Sequence, residues 1–200
     1  MGELFNFSVV ELVMNKQSQP LVKLNFESDY GVISLCANET GITHLNFIPQ
    51  IDSEWQSREV DNQLLENNRV QSSIGSVSEP ALEQRASAHL LQAKQELCEY
   101  FSGTRRHFDV ALAPKGTEFQ QQVWHALTEL DYGQSCSYAD IAMKIARPKA
   151  VRAVGTANGA NPIAIIVPCH RVIGKNGTLT GYAYGLELKQ KLLSLEGLSV

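Results

Sequence analysis

The chain has 200 residues, 44% of them apolar, enough for one large domain or two small ones with a full core. Its apolar runs are too short to span a membrane. Residues 1–7 contain Glu3 and lack the basic start and long apolar stretch of a signal peptide, so an intracellular protein is expected, cytoplasmic or, in a eukaryote, nuclear. The net charge of −4 hides an asymmetry: residues 139–186 hold Lys144, Arg147, Lys149, Arg152, Arg171 and Lys175 against Asp140 alone, a local +5 that leaves −9 on the rest. A basic stretch on an acidic protein is the footprint of a polyanion, with a solvated helix face as the plain alternative.

Residues 1–49 read as β-rich. Leu21, Val22, Leu24 and Phe26 form one apolar run, Val32, Ile33 and Leu35 a second, and Ile42, Leu45, Phe47 and Ile48 a third. The Asn38-Glu39-Thr40-Gly41 turn between the last two predicts a hairpin. Residues 50–80 are polar and read as connection, with a short helix expected near 60–65. Leu82, Ala86, Leu90, Ala93, Leu97 and Phe101 recur every three or four residues and predict a helix over 81–101, stopped by Gly103. Alternating Phe108, Val110 and Leu112 predict a short strand over 107–113. Pro114-Lys115-Gly116 then marks a boundary between domains 1–113 and 114–200.

Thr117 opens the next helix, with Gln120 placed for a capping box and Phe119, Val123, Ala126, Leu127 and Leu130 as its apolar stripe. Trp124 and His125 are read as packing and surface. Ser137 caps a helix over 138–145. Pro148 suits the first turn of another over 149–158, rich in Ala150, Ala153, Gly155, Thr156 and Ala157. Two short helices, the second carrying Lys149 and Arg152, outline a helix-turn-helix. Asn161-Pro162 forces a turn before the buried run 163–167. Asn176-Gly177 marks a tight turn and 181–185 an aromatic loop. A last helix covers 186–195, stopped by Gly197. A β-rich first half and a mostly helical second half make a mixed α/β (α+β) protein.

The chemistry gathers at Ile165-Ile166-Val167-Pro168-Cys169-His170-Arg171-Val172, where a buried run delivers a Cys beside a His. Thiolate is the strongest side-chain nucleophile near neutral pH, and His moves protons there most readily. Cys36, Cys98 and Cys136 lack paired spacing and read as small buried hydrophobes. Cys36 with His44 makes at most half a metal site, and no metal or nucleotide cofactor is expected. A DNA-binding helix just before a nucleophile suggests chemistry on a base, which must be rotated out of the duplex to be reached.

From about Gly116 to Gly197 the sequence closely resembles the O6-alkylguanine-DNA alkyltransferases, the methylated-DNA–protein-cysteine methyltransferases. Pro168-Cys169-His170-Arg171-Val172 matches their active-site motif in full. Gly116-Thr117, Phe119-Gln120, Val123-Trp124, Ser137-Tyr138, Arg152-Ala153-Val154-Gly155, Asn161-Pro162, Gly181-Tyr182 and Leu195-Glu196-Gly197 match around it. The first half resembles the family only loosely. The resemblance implies a ribonuclease-H-like N-terminal domain and a winged-helix-like C-terminal one.

It further implies stoichiometric transfer of an alkyl group from guanine O6, with thymine O4 a second candidate, onto Cys169. The partner it implies is duplex DNA bound by a monomer. In this reading His170 acts on Cys169 through a water, favouring thiolate, and Glu196 orients the imidazole. Asn161 is the hinge, Arg152 enters the base stack, and Tyr138 contacts the flipped guanine. The carbonyls of Cys169 and Val172 accept from the guanine amino group, Ala183 N–H reaches O6, and Tyr182 packs on the base. Ser137, Ala150 and Arg171 are further candidate DNA contacts. Tyr184 stands where the family commonly has Gly, which predicts an altered tolerance for bulky substituents.

Three other readings compete. A cysteine hydrolase would turn over, and it needs an irregular backbone to pair adjacent Cys and His. A non-transferring damage sensor is disfavoured by the presence of Cys169. A sequence-reading regulator is disfavoured by the small residues of the second helix, which suit shape-dependent, minor-groove binding.

Overall fold

The structure is a computed structural model that describes residues 10–13, 21–48 and 79–199. Four strands, β1 (Val10–Val13), β2 (Leu21–Ser28), β3 (Gly31–Asn38) and β4 (Gly41–Ile48), form an antiparallel meander in the order β1-β2-β3-β4. The three sequence-predicted runs are β2, β3 and β4; β1 adds a strand that no pattern announced. The helix expected near 60–65 lies outside the described residues.

Alternation places Val22, Leu24, Phe26, Ile33, Leu35 and Ala37 on one buried face. In β4 both Ile42 and Leu45 are buried, which a strict period of two forbids. Cys36 pairs with His44 but Ala37 with Ile42, so Thr43 is the extra residue of a bulge, and its hydroxyl donates to Cys36 O at 3.1 Å. Asn38 Oδ1 accepts from the backbone N–H groups of Thr40 and Gly41 and closes the predicted turn.

Helix α1 (Glu79–Phe101) covers the buried face with Ala86, Leu90, Ala93, Leu97 and Tyr100. The stripe therefore ends on Tyr100. Phe101, predicted as its last member, is only half buried and stacks on Tyr30.

The strand expected over 107–113 is not formed. Glu96 on α1 accepts from Asp109 N and Val110 N, taking donors that a strand would spend on a neighbour. Only Leu112 bridges to the sheet, with Ile42 N donating to Ala111 O and Ala113 N to Ile42 O. Gly41, at φ +154, makes this approach possible, because a Cβ there would lie 2.4 Å from Ala111 O.

The second half packs α2 (Glu118–Thr128), α3 (Tyr138–Lys144) and α4 (Val151–Gly159) together, with α5 (Leu186–Leu195) following. Two-residue strands β5 (Cys136–Ser137) and β6 (Val172–Ile173) pair in parallel. Thr117 and Ser137 close capping boxes with Gln120 and Asp140. Trp124 is buried and donates to Ala157 O at 2.8 Å, while His125 is exposed, as expected. Helix α4 starts two residues later than predicted. Ala150 N donates to Arg147 O, so Pro148 and Lys149 are the central residues of the turn between α3 and α4. Helix α5 ends as predicted: Gly197 is at φ +83, Leu198 N donates to Leu193 O and Gly197 N to Ser194 O.

The two halves meet along the free edge of β4. Leu45 N donates to Pro162 O at 2.8 Å, and Ala164 N donates to Leu45 O at 3.1 Å. An edge that would otherwise be open for pairing thus fixes the segment carrying Cys169. Among the described residues no helix is long and apolar enough to cross a membrane.

Candidate active site

The run 163–167 is buried as predicted, but it is a set of turns and not a strand. Ile166 N donates to Ala164 O across Ile165, a β-branched residue held at φ +67. Cys169 N donates to Val167 O across Pro168, at φ −81 and ψ 61, an inverse γ-turn. Cys169–Arg171 then form a single 3-10 turn. This is the irregular backbone that sends the adjacent Cys and His side chains to different partners.

Asn161 clamps the turns. Its Oδ1 accepts from Ile163 N at 3.0 Å, and its Nδ2 donates to Val167 O at 2.8 Å and to Cys169 Sγ at 3.1 Å. Burial pushes the Cys169 thiol up, and the Asn161 hydrogen bond and the nearby Lys189 charge pull it back down. The raised direction favours the neutral thiol at rest.

His170 is fully buried, and its Nε2 donates to Glu196 Oε1 at 2.9 Å. Burial lowers its pKa, and the Glu196 hydrogen bond opposes this only in part. A neutral imidazole whose Nε2 carries the hydrogen keeps its lone pair on Nδ1. Nδ1 is buried and has no hydrogen-bond partner among the described residues. The ring therefore holds an unpaired lone pair one residue along the chain from the thiol. Glu196 is buried at the C-cap of α5. Burial alone would raise its carboxyl; the hydrogen bonds from His170 and Arg171 outweigh that and hold it at about 2.

Arg171 was expected to contact DNA. It is instead 5% exposed: Nε and Nη2 grip Glu196 at 2.9 Å, and Nη1 donates to Leu130 O. The outward basic patch thus loses Arg171, while Arg147, Lys149, Arg152 and Lys175 stay exposed. Gly133, at φ +75, brings its N–H to Glu196 Oε2 at 3.2 Å.

Two family profiles match the sequence: "6-O-methylguanine DNA methyltransferase, ribonuclease-like domain" over residues 21–114, and "6-O-methylguanine DNA methyltransferase, DNA binding domain" over 118–198. A methylated-DNA–protein-cysteine methyltransferase of Methanosarcina acetivorans is 46% identical over 172 residues, covering 86% of this chain and 96% of that protein. The chain belongs to the 6-O-methylguanine DNA methyltransferase family. The constitutive methylated-DNA–protein-cysteine methyltransferase of Bacillus subtilis is 55% identical over 118 residues, which are 58% of this chain and 72% of that protein. The Mycobacterium tuberculosis OGT solved in complex with DNA superposes with a TM-score of 0.64 at 38% identity, covering 86% of this chain and 90% of that one. The mixed α/β fold, an N-terminal sheet half and a C-terminal helical half, is shared with it.

The other candidate residues of this methyltransferase-family chain lie on α3 and α4, at their N-caps and on the 181–185 loop. Tyr138 opens α3 against Gly155 of α4, and its hydroxyl accepts from Thr180 at 3.4 Å. Arg152 is exposed on α4, behind Ala150 at its N-cap. Ser137 Oγ donates to Asp140 Oδ2 and accepts from Asp140 N, capping α3. Tyr182 and Tyr184 meet edge to face at 5.5 Å beyond the thiol, with Ala183 exposed between them. Tyr184 is also held from the other half: its hydroxyl donates to Asn46 Oδ1 at 2.9 Å, and its ring packs edge-on against Phe47.

Lys189 was not anticipated. Fully buried on α5, it donates to Val172 O at 2.6 Å and Thr180 O at 2.7 Å, and burial brings its pKa down to about 8. It pins the carbonyl that the resemblance assigned to the guanine amino group, leaving that oxygen's second lone pair for a ligand. In sequence it reads as one of two ordinary lysines on a surface helix.

The bland reading of the remaining cysteines holds only in part. Cys98 is exposed, and Cys36 and Cys136 are half buried. Cys36 and His44 face each other across β3 and β4, and among the described residues no third metal-ligating side chain joins them.

Proposed function

We propose that this family member reverses alkylation damage in duplex DNA by moving the alkyl group of O6-alkylguanine onto Cys169 in one irreversible step, as a monomer. The observation that carries the reading is that Glu196 accepts from Nε2–H of the buried His170, next in sequence to Cys169, while Nδ1 has no hydrogen-bond partner among the described residues; in this reading Nδ1 is the base. Through one water, Nδ1 takes the thiol proton. The sulfur attacks the alkyl carbon, the C–O6 bond breaks, and its electron pair stays on the guanine. A proton from Tyr138 reaches a ring nitrogen, and the one released by Cys169 restores the balance. The product is a thioether that water does not readily cleave, so the protein is consumed.

The turn-linked pair α3 and α4 supports the DNA side of the proposal. Arg147, Lys149 and Arg152 are exposed there, and exposed Ala153 and Thr156 leave α4 slim enough to lie in a groove. In this reading α4 is the recognition helix of a helix-turn-helix, Arg152 takes the place of the rotated nucleotide, and Tyr182 faces the base. The working division is a supporting domain, 1–113, and a DNA-binding and transfer domain, 114–200.

Titration with a duplex carrying O6-methylguanine tests the stoichiometry: repair is expected to stop at one lesion per chain, and continued turnover would point to hydrolysis. The same assay reads the pocket wall. Because Tyr184 is fixed by Asn46 and Phe47, Tyr184→Gly is expected to raise the rate on O6-benzylguanine relative to O6-methylguanine by roughly tenfold. An unchanged ratio would mean that Tyr184 does not bound the pocket.

A further inference from the structure

Glu196 Oε1 accepts from three residues at once, Arg171 Nη2 among them at 2.9 Å. His170 Nε2 approaches it at 2.9 Å, and Tyr100, from the last turn of α1 in the other half of the chain, donates its hydroxyl at 2.7 Å. The Tyr100 ring is fully buried and boxed by Phe101, Phe108 and Tyr132, with centroids at 5.6, 5.4 and 6.1 Å, so the aim of its hydroxyl is set by packing. A carboxylate can only accept, so Tyr100 is the donor.

We propose that Tyr100 is a positioning residue that acts through Glu196 on His170: by sharing Oε1 it limits how strongly the carboxylate holds the imidazole proton, and so sets the pH at which Nδ1 becomes a base. The inference rests on the transfer reading above and gives the N-terminal half a part in the chemistry beyond support.

The other charged and titratable groups around the cluster are Arg171, a cation, Lys189, which burial brings down to about 8, and Cys169, whose thiol burial pushes up; the Gly133 N–H is neutral, and Tyr132 donates to Leu195 O and not to the carboxylate. Burial first, then Glu196, raises the Tyr100 hydroxyl well above its ordinary value, so it remains a donor throughout the working pH range. Removing the hydroxyl leaves Oε1 more basic toward Nε2–H. Imidazolium is then favoured, and His170 loses its base function at a higher pH than before.

The test compares wild type, Tyr100→Phe and Tyr132→Phe by single-turnover alkyl transfer against pH, together with an NMR titration of His170. Tyr100→Phe is expected to move the acid limb and the His170 titration upward by about half a pH unit or more. Tyr132→Phe, which removes a neighbouring half-buried hydroxyl that does not touch the carboxylate, is expected to leave both in place. If Tyr100→Phe fails to fold, 3-fluorotyrosine at position 100 keeps the ring and strengthens the donor, and the expected shift is downward. Coincident profiles in a folded Tyr100 variant would overturn the proposal. If wild type transfers nothing, the transfer reading fails, and the NMR titration alone still decides whether Tyr100 governs His170.

Discussion

Glu196→Gln is expected to lower stability at pH 7 by ~3 kcal/mol and to slow alkyl transfer by ~100-fold or more. The carboxylate accepts from Tyr100, His170, Arg171 and the Gly133 N–H, all in a buried cluster. An amide presents its own hydrogens to these donors and leaves the Arg171 charge without a counterion. Linkage gives a similar size: a carboxyl held at about 2 in the fold, against an ordinary 4.5, contributes ~3 kcal/mol at neutral pH.

That contribution is present above pH 4.5 and is lost as pH falls toward 2. His170 acts with the same sign, because its pKa is lowered below 6.5 and the unfolded chain takes up the proton first, so its share fades as pH drops through 6.5. Urea midpoints measured across pH should therefore fall in two stages in wild type. The lower stage should be missing in Glu196→Gln. Equal midpoints for the two proteins at pH 7 would show that the cluster does not hold the fold.

Asn161→Ala is expected to cost ~2–3 kcal/mol and to slow transfer by ~10- to 100-fold at pH 7. The variant strips Ile163 N of its acceptor, frees the turns around Ile165 and Pro168, and removes the amide that donates to Cys169 Sγ. Because that donor pulls the thiol pKa down, its loss pushes the thiol higher still, and the rise of rate with pH should move to higher pH. Single-turnover rates across pH decide between the two effects. Recovery at high pH marks the lost donor, and a uniform deficit marks the loosened frame.

Much of this was legible in the sequence because it is local. The period-two runs gave β2, β3 and β4, the capping boxes at Thr117 and Ser137 depend on side chains three residues apart, and Gly197 stops α5 by its own backbone freedom. The motif around Cys169 marked His170, while Glu196 and Asn161 were marked only by the family resemblance. What the sequence hid is set by tertiary partners. Arg171 counts toward a basic patch until Glu196 is seen to draw it inward, and Lys189 reads as solvated until Val172 O and Thr180 O are found at its tip.

The strand expected over 107–113 has the right alternation, but Glu96 takes two of its amides. Tyr100 continues the spacing of Ala93 and Leu97, so the stripe itself could have found it ahead of Phe101; only its hydroxyl contact, across 96 residues, lies beyond any local pattern.

The central claim is that Cys169 receives the alkyl group. The measurement is the intact-protein mass after incubation with a duplex containing one O6-methylguanine, beside Cys169→Ser. A gain of one methyl group per chain, mapped to Cys169 and absent from the variant, is the predicted result. Tight binding with no gain in mass, or the same gain in Cys169→Ser, would contradict it.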